Sequence, residues 1–262
     1  MHRVLCTVAP RNTPCRLCAR AAASSRGWSR KVDKMRYRLG VDEMEPDHWV
    51  AWVLDLPACF SSAQTQDGAV ARAPERIAEY YAWLSAHDAA SPVPAGPIET
   101  EVVGVCHAFP CSEDPDYLVN AFFEDDRRPL GYWDVVVALR LLSWTRQDLL
   151  RTVETLSQEC LVQPVAGEVR GSIAGILRHV AGAENWYLGH LDVGLDRSQV
   201  PDDPFEALRV VRAQTRAQLV RLIGNERVVS RRDELWSARK IVRRTLWHEC
   251  DHTRHIARLL AE

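Results

Sequence analysis

The chain has 262 residues, of which 47% are hydrophobic and 26% are charged, as in an ordinary folded globular protein. Its formal net charge of −2 gives no overall attraction to nucleic acid. No apolar run approaches the roughly 20 residues that a membrane-spanning helix needs. The eight cysteines are too sparse for a secreted disulfide scaffold, so we expect free thiols and a cytoplasmic protein.

The first 34 residues differ in composition from the rest. They contain eight Lys or Arg and one acidic residue, Asp33. Such an Arg- and Ser-rich, acid-poor segment is typical of an organellar transit peptide, but a start of translation at Met35 explains it equally well. Cys15 and Cys18 form a C-x-x-C pair without the second pair of a zinc site. We predict that residues 1–34 are a disordered or untranslated extension that is dispensable for folding.

Residues 35–88 are predicted to form a small α+β module. Alternating apolar residues predict strands over residues 37–42 and 48–54, and a third short strand over 56–62. A helix follows, for which Thr65 is the predicted N-cap.

The order of three strands and a helix resembles the HicB-like antitoxin fold. The resemblance also lies in Asp55-Leu56-Pro57-Ala58-Cys59, followed by Ala63-Gln64-Thr65, and it covers roughly residues 36–88. It implies a DNA-binding segment or a toxin partner. No ribbon-helix-helix or helix-turn-helix pattern follows, so we expect a role in binding or assembly.

Residues 89–127 are predicted to be a linker with one strand. Proline and small residues dominate 89–97, and 99–105 has the pattern of a strand. The sequence leaves open whether residues 98–125 belong to the first domain or bridge the two.

Residues 128–262 are predicted to form an all-α four-helix bundle, because amphipathic helical periodicity is sustained with modest loops. Ser172 is a suitable N-cap for the second helix. The predicted helices span residues 132–160, 172–191, 204–223 and 237–260.

Two histidines, His248 and His252, lie four residues apart in the last predicted helix. This spacing puts both imidazoles on one helix face, within reach of one metal ion. Together with Glu249 they also match the H-E-x-x-H signature of zinc peptidases. Those enzymes take a third ligand from further along the chain, and only ten residues follow His252. We therefore expect the third ligand upstream, and we do not assign Glu249 as a general base.

His179 is the best upstream candidate. It borders the apolar stripe of the second helix, as His248 and His252 border that of the last helix. Packing of the two stripes would bring three imidazoles together at one end of the bundle. For the His248–His252 pair alone, surface exposure or a hydrogen-bonded core position is the alternative interpretation.

These features are similar to the DinB-like superfamily over about residues 128–261. The features are a histidine early in the second helix, then an acidic residue and Trp-Tyr-Leu, and His-x-x-x-His-x-x-x-Ile in the last helix. The resemblance implies a divalent metal, zinc or nickel, held by His179, His248 and His252, with His255 outside this ligand set. Chemistry in the superfamily includes metal-dependent thiol transfer, hydrolysis and isomerisation with low-molecular-weight thiols.

Two classes of function remain open. The first is a metal-dependent thiol transferase or hydrolase that acts on a small molecule, with Arg244 and His255 as candidate catalytic residues that orient an anionic substrate. The second is a non-catalytic binding protein of the toxin–antitoxin type with a structural metal.

We expect a homodimer, with the N-terminal module serving dimerisation or substrate access. The basic run over 231–244 is interpreted as a solvated helix face, so nucleic acid is not an expected partner.

Overall fold

The computed structural model describes residues 36–91, 93 and 96–261. The predicted extension over residues 1–34 lies outside this part of the chain. Over the described residues the protein is mixed α/β, with an N-terminal sheet and six helices.

Four strands form the N-terminal sheet, in the order β3-β2-β1-β4. They are β1 (Arg36–Glu45), β2 (His48–Val53), β3 (Phe60–Ala63) and β4 (Glu99–His107). The first three strands are antiparallel, whereas β4 pairs in parallel with β1. The strand whose place the sequence left open is therefore part of this sheet.

Helix α1 (Gln66–His87) covers one face of the sheet. The side chain of Thr65 accepts a hydrogen bond from the backbone N–H of Gly68, which confirms the predicted N-cap. Ile77 of the helix packs with Leu39 of the sheet in a buried apolar cluster. Because β1 and β4 are parallel, the chain needs a long crossover between them, and α1 is part of that connection.

The opposite face of the sheet packs against the C-terminal half of the chain. The rings of Trp52 and Trp247 lie 5.6 Å apart at this contact. A Cβ at Gly40 would lie 2.7 Å from the ring of Phe123, so glycine permits the close packing. The buried residues of this cluster are Met44, Val50, Trp52, Phe60, Ala121, Phe123 and Trp247.

The C-terminal helices form the predicted bundle. The four long helices are α2 (Tyr132–Val153), α4 (Ile173–Gly189), α5 (Pro204–Arg221) and α6 (Ala238–Leu259). The prediction of one helix over 132–160 is wrong, because α2 ends at Val153. A short helix, α3 (Gln158–Val162), follows, and the side chain of Ser157 caps it by accepting from the N–H of Cys160.

Both histidine-bearing helices begin at capping side chains. Ser172 accepts from Gly175 N–H at the start of α4, as predicted, and Ser237 accepts from Lys240 N–H at the start of α6. These caps fix where each histidine-bearing helix starts, and so which of its residues face the core. None of the described helices is both long enough and apolar enough to cross a membrane.

Two small hairpins were not predicted. They are β5 (Phe109–Pro110) with β6 (Leu118–Val119), and β7 (Val229–Arg231) with β8 (Glu234–Trp236). Strands of two or three residues are too short to show an alternating pattern. The helical part fits a DinB-like bundle, and the division of the chain into domains stays a prediction.

Candidate metal centre

The structure brings together the three histidines that the sequence predicted would meet. His179 comes from α4, and His248 and His252 come from α6. Nε2 of His248 lies 3.0 Å from Nε2 of His179 and 3.2 Å from Nε2 of His252. One nitrogen from each ring lies within 4.8 Å of the others, so the group can hold a metal ion.

The two Nε2–Nε2 spacings from His248 fit a divalent cation. Zinc–imidazole bonds are about 2.0–2.1 Å long, which puts two nitrogens at tetrahedral positions about 3.3 Å apart. A neutral imidazole has one N–H and one lone pair, so three converging nitrogens cannot all be satisfied by one another. Nδ1 of His252 is buried without a hydrogen-bond partner among the described residues. Because the Nε2 atoms are the ones that converge, a metal would be held through Nε2.

The environment keeps all three rings neutral near pH 7. Burial, and then the charge of Arg170, lower the pKa of His179 to about 4. Burial, followed by His179, lowers the pKa of His252 to about 3. Burial, followed by His252, holds the pKa of His248 well below its ordinary value. The neutral ring is the form that offers a lone pair to a metal.

A buried ionic network fixes the two helices that carry the histidines. Glu184 of α4 and Glu249 of α6 both lie between Arg146 of α2 and Arg212 of α5. The nitrogen–oxygen distances run from 2.5 to 3.0 Å, and each of the four side chains is at most 10% exposed. Because Glu249 directly follows His248, the network sets the rotation and height of α6 at the metal centre.

Glu249 is fully occupied by this network. It accepts hydrogen bonds from Thr145, Arg146 and Arg212. Glu184 shares both arginines. Burial opposes its ionisation, but Arg212 and Arg146 outweigh burial and hold the pKa of that carboxyl below its ordinary value. Glu249 therefore faces the bundle core and is not available as a general base, as expected from the sequence.

Arg244 lies one turn before His248 and is only 7% exposed. Its Nη1 donates to Oδ1 of Asn120 at 3.1 Å, but its buried Nε has no partner among the described residues. The guanidinium carbon lies 4.5 Å from the ring centroid of Trp247 and 5.7 Å from that of Tyr187. The Tyr187 ring is in turn 6.0 Å from that of His248. Arg244 is thus a buried cation beside the centre, and it has no ion pair within the described part of the chain.

The loop before α4 covers the outer edge of the centre. Nε2 of His255 lies 3.1 Å from Oε2 of Glu168, and its ring is 5.9 Å from that of His252. Nη2 of Arg170 lies 3.2 Å from Nε2 of His179. The sequence analysis missed Glu168 and Arg170, since a loop has no periodicity that would point to them.

Residues 138–261 match the family model described as mycothiol-S-transferase. This region is just under half of the chain and includes all three histidines. The match supports the predicted DinB-like resemblance over this region and, with the histidine group, a metal-dependent function of the thiol-transferase kind. It does not extend to the N-terminal sheet. No curated protein and no solved structure matches the chain significantly.

Proposed function

We propose that the C-terminal bundle is a metal-dependent S-transferase, which joins a low-molecular-weight thiol to a small electrophilic substrate. The observation that carries this proposal is the histidine group, which lies inside the region similar to the mycothiol-S-transferase family. Mycothiol is therefore the first thiol to test. Hydrolysis, with water in place of the thiol, is the close variant.

His179, His248 and His252 would hold one divalent ion, with zinc and nickel as the candidates. When bound, the ion supplies Lewis acidity, which lowers the pKa of a thiol or water at the position that three protein ligands leave open. In this role each ring would be neutral, with the lone pair on Nε2 and the proton on Nδ1, and the low pKa values keep the rings in the neutral form.

Residues beside the histidines would bind and orient the substrate. Arg244 has a free Nε and suits a carboxylate or phosphate group of the substrate. Trp247 and Tyr187 pack against its guanidinium and limit water there, which strengthens its attraction for an anion. His255, held by Glu168, is the second candidate to orient the substrate.

A fluorogenic conjugation assay tests this function. Monochlorobimane would be offered to the metal-loaded protein with mycothiol, with glutathione, or without thiol. We expect mycothiol to displace chloride and form the fluorescent thioether, while the thiol proton goes to solvent. The variant carrying both His248→Ala and His252→Ala should lose this activity.

Two outcomes would contradict the proposal. One is an unchanged rate in the double variant. The other is a metal-loaded protein that is inactive with every thiol yet binds a protein partner through its N-terminal module. The latter outcome favours the alternative, a non-catalytic protein of the toxin–antitoxin type with a structural metal.

We also propose a homodimer, formed through strand β4. This nine-residue strand lies at one edge of the sheet and exposes Val102, Val103 and Val105, each by at least 43%. An exposed edge strand is a template for pairing with another strand, and a two-fold contact closes the assembly at two chains.

Light scattering tests this interface with two variants. Val103→Lys should be a monomer, whereas the matched control Val220→Lys, on α5, should remain a dimer. A dimeric Val103→Lys protein would exclude this interface.

The HicB-like resemblance of the N-terminal module stays part of the proposal. Three antiparallel strands followed by α1 are compatible with it.

The five cysteines within the described residues are free thiols, as expected for a protein of the reducing cytoplasm.

A further inference from the structure

A cavity of about 280 Å³ lies between the N-terminal sheet and the bundle. Its walls come from β3, α1, α2 and α6, so it belongs to neither half alone. The aromatic rings of Phe60, Tyr80 and Trp83 line it. The three histidines of the metal centre are not among its lining residues.

Most charged groups on the cavity wall already have partners. Arg76 forms an ion pair with Glu79 of the same helix. Asp148 accepts a hydrogen bond from Nε1 of Trp83 at 2.7 Å and lies 3.1 Å from Nε2 of His87. These groups are therefore not free to bind a ligand.

Arg254 is different. It forms no ion pair with any residue that the structure describes, and its guanidinium carbon lies 4.7 Å from the ring centroid of Phe60. Arg254 is also exposed, so its guanidinium is accessible to a ligand. Its positive charge has no ion-paired carboxylate among the described residues and is available to an anionic group.

We propose that this cavity binds a small, flat aromatic carboxylate. The carboxylate would pair with the planar fork of Arg254. The ring would lie among Phe60, Tyr80 and Trp83, where aromatic groups pack favourably. The volume is near the lower end for small-molecule pockets, which favours a ligand of one or two rings.

This site is separate from the metal centre. Cys250 and Arg254 line the cavity, and each follows a metal-site histidine by two residues. Two residues correspond to about 200° around a helix. The cavity therefore lies on the opposite side of α6 from His248 and His252, and its occupancy does not depend on the proposed S-transferase activity.

Isothermal titration with three probes tests the proposal on the full-length protein. The probes are naphthoate, its neutral isostere naphthamide, and acetate, which has the charge without the ring. We expect naphthoate to bind and the other two to bind at least about tenfold more weakly, since each lacks either the charge-assisted hydrogen bonds or the apolar contact.

Three variants locate the binding site. Arg254→Gln should weaken naphthoate binding at least about tenfold, the effect of losing one charge-assisted interaction. Arg258→Gln, an exposed change on the same helix, should leave it unchanged, and so should Arg244→Gln beside the metal centre. Loss of binding in Arg244→Gln alone would move the carboxylate to the metal centre and overturn the proposal. Equal affinity for naphthoate and naphthamide, or no naphthoate binding at millimolar concentration, would also overturn it.

Discussion

Two polar clusters of the bundle, one buried and one partly buried, share the same two helices, α4 and α6. In the first cluster, Glu184 and Glu249 are each bound by Arg146 and Arg212, so opposite charges are matched. In the second, three imidazole rings point their Nε2 atoms toward one another; the rings belong to His179, His248 and His252.

The difference between these clusters separates a structural role from a binding role. Buried charges are tolerated when they are paired and hydrogen-bonded, and the ionic network meets that condition with protein groups alone. Among the described residues, one outside donor lies at the histidine cluster, Nη2 of Arg170 beside Nε2 of His179, and a single donor cannot satisfy three lone pairs. We therefore propose that adjacent residues on α6 serve different purposes, with Glu249 holding the helix in place and His248 offering a ligand atom.

The largest expected effect is the loss of one acid from the ionic network. Glu249→Ala would leave Arg146 and Arg212 without one of their two buried carboxylates, so we expect a loss of about 3–5 kcal/mol in the free energy of unfolding. Denaturant unfolding of the metal-free protein measures it. Exposed Glu226 provides the control, since Glu226→Ala should change stability by less than about 0.5 kcal/mol. A similar small change in both variants would mean that the network does not hold the bundle.

Metal binding should give the next largest effect. Zinc or nickel at 100 times its Kd should stabilise the native protein by about 2.7 kcal/mol, because the unfolded chain does not assemble the site. Thermal unfolding with and without the metal measures this change. In the protein carrying both His248→Ala and His252→Ala the shift should vanish. An equal shift in that variant would place the metal elsewhere.

The smallest effect is expected for a histidine substitution without metal. His252 is half-buried, and among the described residues its Nε2 is paired with Nε2 of the neutral His248 ring, so His252→Ala should change the stability of the metal-free protein by less than about 1 kcal/mol. The same substitution should abolish most of the stabilisation by metal. A loss of several kcal/mol in the metal-free protein would mean that the cluster is part of the packed core, as the ionic network is.

The sequence predicted those features of the fold and of the histidine cluster that depend on local pattern. Thr65 and Ser172 were identified as caps, because capping needs only one side chain and the next helical turn. The His248–His252 pair was identified because a spacing of four residues fixes a shared face. His179 could be added because it borders an apolar stripe in the same way.

The ionic network could not be predicted in this manner. Arg146 meets Glu249 across 103 residues of sequence, and Arg212 meets Glu184 across 28. A charged residue in an amphipathic helix is expected on the solvated face unless a partner is known, and only the packing of four helices supplies these partners. The parallel pairing of β4 with β1 was undecided for the same reason.

X-ray absorption at the zinc edge, in thiol-free buffer, tests the central claim most directly. We expect one zinc per chain, with a first shell that includes three imidazole nitrogens at about 2.0–2.1 Å and no sulfur. The protein carrying both His248→Ala and His252→Ala should lose that signal. A first shell with sulfur at about 2.3 Å, or stoichiometric zinc retained by the double variant, would contradict a metal centre built from His179, His248 and His252.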